Sequence, residues 1–540
     1  MLTLSLTALL VDYTAQEYFQ KNGPTLFPNA AGSITQTCLT YLSFDILKQG
    51  SDARPRTLSD EYPFVSYAAV HWGHHASRNE ETTLDMVQEF LSRKANVAYA
   101  TTILLADQQH GLKDDGLDRT DFGEIHLLSF FGLGRTMDRL LQINHSADSK
   151  DSRGQTPLSH AAIRGHSEVV QLLLTRDDVD VNSEDEDDIS PLLHAAKNEH
   201  LEVMKLLLAR EDIKVNAKDW CSRSPLSYAA ENGDFEATKR LLAHDDIKVN
   251  WQDADGRTPL FYAVENGHFD VTKLLLAHDD IKVNLQDADS RSPLFYAIGN
   301  GHFEVTNLLL AYEDIEVNSL DAAGGSLLSY SAEKGHLEVT KNLLAQDDIE
   351  VNSQDAEGRS PLSYAAENGH LEETKHLLAQ DNIEVNSRDA EGRSPLSYAA
   401  ENGHLEVTKL LLARDNFEVN SKDHHSCSPL LYAAQSGHSE VTKHLLAQDN
   451  TEVNLRDCHC CSPLLYATHN RHLEPIKLLL ARDDIDVNLP DAHGHSPLSY
   501  ATENGDLEVK QLLLAREGID INSHGWYSHS PLLYATKMGI

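Results

Sequence analysis

Five arginines stand at multiples of 34 residues from one another: Arg223, Arg257, Arg291, Arg359 and Arg393. Glutamates recur on the same step at Glu231, Glu265, Glu333, Glu367 and Glu401, and an asparagine follows most of them, at Asn232, Asn266, Asn368 and Asn402. A guanidinium offers a planar fork of donors that fits carboxylates and is weakly hydrated, which favours it at interfaces. Columns of this kind suit recognition of a protein partner rather than bond-making chemistry. The alternative use is internal: each arginine pairs with a nearby carboxylate, a contact that contributes only ~0–1 kcal/mol when exposed. If the columns meet a partner, reversing Arg359 and Arg393 to glutamate should weaken capture and leave the melting temperature unchanged.

A second group of chemistry-bearing residues falls in two neighbouring segments, with His424, His425 and Cys427 in one and Cys458, His459, Cys460 and Cys461 in the next. Thiolates and imidazoles are zinc ligands. The spacing matches no established ligand set, so the expectation is no metal, with Cys427, Cys458, His459, Cys460 and Cys461 as the alternative. Trp220, His424, His425, Trp526 and Tyr527 depart from the alanine or acidic residue found at the same places elsewhere, and departures of this kind are candidates for specificity. No Ser/His/Asp or Cys/His arrangement stands out from the repeated background, and no phosphate-binding Gly-x-x-x-x-Gly-Lys-Ser/Thr loop occurs. The chain reads as a non-enzyme without a cofactor.

The elements that position these residues follow from the repeat. The phrase from Gly358 to Gly369 returns unchanged from Gly392 to Gly403, and a proline holds the 34-residue step from Pro157 to Pro531, with Leu327 replacing it once. Ser360 suits a helix N-cap, Pro361 the first helical position and Gly369 a left-handed helix end. A second helix is expected over Leu371 to Ala379, and Asp389-Ala390-Glu391-Gly392 reads as a turn. The tyrosine column, Tyr228 to Tyr534, is expected to pack between helices and to direct only its hydroxyls outward. Two short helices cannot bury their apolar face alone. About twelve 34-residue repeats, stacked as a solenoid, can.

The phrase resembles the Thr-Pro-Leu-His-x-Ala signature of ankyrin repeats. Thr156-Pro157-Leu158 and Thr258-Pro259-Leu260 match its start, and Gly369-His370 and Gly403-His404 match the pair that opens the family's second helix. The resemblance covers residues 121–540, with the last repeat incomplete. It implies an all-α ankyrin-repeat solenoid that holds a protein partner along its concave side, where the arginine, glutamate and asparagine columns would lie. The signature histidine is mostly serine or leucine here, as at Ser227 and Leu431, which puts its usual bonding between loops in question.

Residues 1–120 lack the period. Helical patterning falls at 31–48, 63–77 and 83–94. The strings Tyr13-Thr14-Ala15-Gln16-Glu17-Tyr18-Phe19, Thr40-Tyr41-Leu42-Ser43-Phe44-Asp45 and Trp72-Gly73-His74-His75 are similar to those that follow the NACHT nucleotide-binding domain in fungal NACHT-ankyrin proteins. The resemblance makes residues 1–20 the end of a winged-helix domain and 21–120 a helical segment leading to the repeats. It implies, as an alternative function, the ligand-sensing half of an NLR-like receptor of innate immunity or incompatibility. Met1 then lies inside a longer gene or begins a truncated product.

Of 540 residues, 84 are Asp or Glu and 45 are Lys or Arg, a formal net charge of −39. That charge argues against nucleic acid and anionic membranes as partners and permits a basic protein. The sparse cysteines give no disulfide framework, which fits a reducing compartment. These expectations amount to a monomer in the cytoplasm or nucleus.

Overall fold

The computed structural model describes residues 30–44, 64–107, 122–143, 146–414 and 416–521. Among them are 28 α-helices, no strand, and one isolated bridge between Leu320 and Ser326. They form two compact units. The first takes residues up to 266 and 270–281; the second takes 267–269 and 282 onward.

The repeated helices start and stop as their termini dictate. The Ser360 hydroxyl accepts from the Ser363 N–H at 3.3 Å, and Pro361 occupies the first turn, where its missing N–H leaves no bond unmade. Gly369 closes the helix Pro361–Asn368 at φ 72°, in the left-handed region. Glu199 and Arg471 occupy the equivalent position without being glycine, at φ 60° and 64°.

In the first unit, four helices precede the first repeat: α1 (Ala30–Leu42), α2 (Phe64–Ser77), α3 (Glu80–Leu91) and α4 (Lys94–Asp107). The pair α5 (Glu124–Phe131) and α6 (Gly134–Leu141) follows, then the pairs beginning at Pro157, Pro191 and Pro225. α2 packs beside α5 and α3 beside α6, so the preceding helices extend both layers of the repeats, and α1 covers α2 and α3. The junction is keyed by aromatic rings. Trp72 is 1 % exposed and meets Phe90 at 5.5 Å and Phe131 at 5.0 Å between ring centroids. Gly73 admits Phe131, since a Cβ there would lie 2.1 Å from the ring. Glu80 supplies the missing N-cap of α6, accepting from the Thr136 N–H at 2.6 Å and its hydroxyl at 2.8 Å. The Asn96 amide donates to the Leu42 carbonyl, at the end of α1, at 2.7 Å. The helix expected over 31–48 ends at Leu42. α4 escaped the sequence patterning because its apolar residues run all round it, with Ala98 and Ala106 on the side away from the buried Val97 and Leu104.

In the second unit the same pairing runs from the helix Pro293–Gly299 to the helix Leu507–Leu514. First helices stack on first helices and second on second; Pro361–Asn368 lies against Pro395–Glu401, and Leu371–Leu378 against Leu405–Leu412. Leu362, Ala365 and Ala366 are fully buried between them, small enough to let the backbones approach.

Candidate partner-binding surface

Each turn before a first helix is organised by its aspartate. Asp389 Oδ1 accepts from the Glu391 N–H at 3.0 Å and the Arg393 N–H at 2.7 Å, which fixes the turn. Its Oδ2 accepts the Tyr398 hydroxyl at 2.5 Å. Equivalent bonds join Tyr228 to Asp219 at 2.6 Å and Tyr466 to Asp457 at 2.7 Å, and His160 and His194 take the same role toward Asp151 and Asp185. The tyrosines therefore pack as the sequence indicates, but their hydroxyls turn inward. The reason is electrostatic: a buried carboxylate carries a lone pair that the turn's N–H groups leave free. Burial and the bonded Asp389 push the Tyr398 phenol up to about 12, so it stays a donor.

The arginines lie on these rings. Arg359 stacks over Tyr364 at 4.1 Å and over Tyr398 of the next repeat at 5.0 Å, and Arg393 over Tyr398 at 4.1 Å and Tyr432 at 4.9 Å. Arg223 bridges Tyr228 and Tyr262 in the same way. Four of the five guanidiniums also pair with a carboxylate at the far end of the helix that follows: Arg223 with Glu231, Arg257 with Glu265 at 3.1 Å, Arg359 with Glu367 and Arg393 with Glu401. Arg291 has no glutamate at the equivalent place; it donates to the Tyr330 hydroxyl at 2.8 Å and approaches Asp321 at 3.7 Å. Glu333 pairs with Lys334 instead. The asparagines cap: Asn266, Asn368 and Asn402 donate to the carbonyls of Tyr262, Tyr364 and Tyr398, and Asn232 donates to Ala196 of the preceding repeat.

Charge reversal at Arg359 and Arg393 is therefore expected to lower stability, where the sequence alone suggested no change. A carboxylate there would face Glu367 or Glu401 and lose two stacked rings.

Three further links between repeats were not read from the sequence. The recurring Asn386 donates to the Asn416 carbonyl at 2.8 Å and accepts from the Glu418 N–H at 3.0 Å, and the same pair of bonds recurs at Asn182, Asn216, Asn284, Asn318, Asn352, Asn420, Asn454 and Asn488. The asparagine amide suits this because its donor and its acceptor sit on separate atoms and can serve two backbone groups at once. His404 and His438 reach back to the Glu367 and Glu401 carbonyls at 2.8 and 2.9 Å. Turn follows turn through one backbone bond, as from the Ala390 N–H to the Glu357 carbonyl at 2.7 Å. This last bond joins neighbouring turns without the signature histidine. Ser363, which replaces that histidine, instead meets the Ser360 hydroxyl at 3.1 Å. The fixed offsets of 30 and 32 residues from each asparagine were the available signal for the first link.

The departures lie at turn tips. Trp220 is 73 % exposed, and His424 and His425 are exposed. Trp526 and Tyr527 lie outside the described residues. Ser222, Ser290, Ser426 and Cys460 hold positive φ, from 60° to 64°, where Gly358 and Gly392 stand in other turns. The cysteines diverge: Cys427 and Cys461 are buried with their thiols toward the His425 and His459 carbonyls, and burial pushes both up to about 12. Cys458 approaches His425 Nδ1 at 3.9 Å. Among the described residues no group of three His, Cys, Asp or Glu is placed to hold a metal ion, and no helix is long and apolar enough to cross a membrane.

The family model described as ankyrin repeats (3 copies) matches residues 125–219, 213–287, 280–355, 328–423, 362–457 and 430–525. No curated protein matches the chain.

Proposed function

As the chain belongs to the ankyrin-repeat family, whose repeats point to protein–protein interaction, we propose that it is a non-catalytic docking protein. It holds its partner along the face made by the turn tips and the ends of the first helices. The supporting observation is a division of labour. The copied polar side chains bond to one another, whereas the residues that differ between copies, Trp220, His424 and His425, are exposed. The arginines Arg223, Arg257, Arg291, Arg359 and Arg393 position the surface. Glu231, Glu265, Glu333, Glu367 and Glu401 stay 31 to 38 % exposed while paired, which suits a basic partner. The protein acts as a monomer in the cytoplasm or nucleus and needs no cofactor.

The test is capture of a partner from the native source, followed by a hydrogen-exchange footprint of the complex. Protection at residues 219–223 and 423–427 is expected. A footprint confined to the second helices would contradict the reading.

A second reading makes the chain the ligand-sensing half of a NACHT-type receptor. The keyed seating of Trp72 and Gly73 against Phe131 favours it, because the resemblance falls on the residues that join these helices to the repeats. An in-frame phosphate-binding loop upstream of Met1 is the expected genomic finding, and stop codons there contradict it.

A further inference from the structure

Two residues before each recurring asparagine the chain carries Asp or Glu in eight repeats, from Asp180 to Asp520, and lysine in three consecutive ones: Lys214, Lys248 and Lys282. In the first unit this reversal coincides with a groove of about 770 Å³. Lys214, Lys218 and Trp251 line it, over an apolar floor that includes Leu208, Ile213 and Ala217. Lys248 lies beside Trp251 on the adjoining wall.

Trp251 is held in place. Its indole N–H donates to the Ser222 carbonyl at 2.9 Å, and the ammoniums of Lys248 and Lys218 lie 4.8 and 5.8 Å from its ring centroid. Lys214, Lys218 and Lys248 are exposed, and none forms an ion pair with a carboxylate among the described residues. Arg210, by contrast, is neutralised by Asp212 at 3.1 Å. The groove also carries four carboxylates on its lining, Glu184, Glu211, Asp245 and Asp246, so only its aromatic wall is basic. The Lys218 and Lys248 ammoniums gather at the aromatic wall. Trp220, the exposed indole, follows Lys218 by two residues, so two of the four tryptophans of the chain flank one lysine.

We propose that this groove docks a short acidic peptide segment of a partner protein, with an apolar side chain on Trp251 and carboxylates on Lys214, Lys218 and Lys248. Unpaired ammoniums beside a fixed aromatic wall select a carboxylate next to an aliphatic or aromatic residue. A nucleic-acid strand is the poorer fit, since its extended backbone charge would meet the field of a chain at −39. This surface adjoins the turn tip at Trp220 and Ser222 but has the opposite charge preference, so the protein would join an acidic segment to a basic partner.

The test uses the full chain, a displayed library of random peptides of about ten residues, and the Lys214→Glu/Lys218→Glu/Lys248→Glu variant as the counter-selection. Glu316 and Glu350 already occupy the place of Lys214 and Lys248 in other repeats, and Glu184 that of Lys218, so the variant should keep its melting temperature. A Lys214→Gln/Lys248→Gln variant repeats the comparison without charge reversal. Peptides enriched on the native chain over both variants should be acidic and carry an aliphatic or aromatic residue. One of them, synthesised, should bind at least about tenfold more weakly to the variants and to Trp251→Ala. Neutral or basic enriched peptides, or equal enrichment on the variants, would overturn the proposal. So would lysine-dependent capture of an oligothymidylate more tightly than any peptide. Single peptides that bind native chain and variants alike are ligands of the turn-tip face, and the proposal falls if no enriched peptide distinguishes the native chain from the variants.

Discussion

Trp72 and Asn386 each join one helical layer to the next, and they do so by different physics. Trp72 fills a space between Phe90 and Phe131 that has no copy among the described repeats and is almost wholly withdrawn from water. Asn386 makes two directional bonds to the neighbouring repeat, and its counterparts make the same two along the array. A keyed apolar contact puts a large share of stability at one place. A copied polar contact spreads small shares over many places, so that any single copy can vary. That tolerance leaves the repeats free to carry different turn tips, and the helices before residue 122 show no such copying.

The contrast can be broken first at its strong side. Trp72→Ala should destabilise the region around α2, α3 and α5 by about 3–5 kcal/mol, the usual cost of removing a large buried aromatic side chain. Hydrogen exchange should speed in those helices and stay unchanged in residues 361–378. Equal acceleration throughout would mean that the two regions do not differ as described.

Acid should find the same region. His126 is fully buried; its Nδ1 accepts from the Gly123 N–H at 3.1 Å and its Nε2 donates to the Ser149 carbonyl at 2.8 Å. Burial, with His160 close by, holds it down at about 4. His160 and His166 are also lowered, mainly by burial. A folded value below the unfolded one means that the unfolded chain binds more protons, so stability is full above about pH 6.5 and falls as pH drops toward 4. The His126 share of that loss is about 3 kcal/mol once pH is below 4. Denaturant titrations from pH 7.5 to 4 should show it, and His126→Gln should flatten the slope.

Asn386→Ala, at a partly exposed site where water can replace the lost bonds, should cost about 1–2 kcal/mol. Chemical denaturation measures it, and the same substitution at Asn352 should cost the same. The smallest effect is a gain. Ser426→Gly relieves a left-handed residue and should raise stability by about 0.5 kcal/mol, less than the strain relieved because glycine also loosens the unfolded chain.

The caps, helix starts and turns of the repeats were readable because their causes lie within a few residues: Ser360, Pro361 and Gly369 act on their own helix. What crosses from repeat to repeat was not. The inward turn of the tyrosine hydroxyl depends on Asp389, nine residues back, and the asparagine bonds reach 30 and 32 residues ahead. α4 was missed because its apolar residues run all round it, and Glu80 as a cap for α6 joins residues 56 apart. Of the candidate surface, the sequence located the columns and the divergent tips. It did not foresee that stacking on paired tyrosines would occupy the arginines.

The measurement closest to the central claim, that copied polar residues hold the array while divergent tips recognise, compares two variants for melting temperature and partner capture. Arg359→Glu/Arg393→Glu should melt several degrees lower, because it breaks two ion pairs and four ring contacts. Trp220→Ala/His424→Ala should melt as the native chain does and lose capture. An unchanged melting temperature in the first variant, with full capture in the second, would contradict the account.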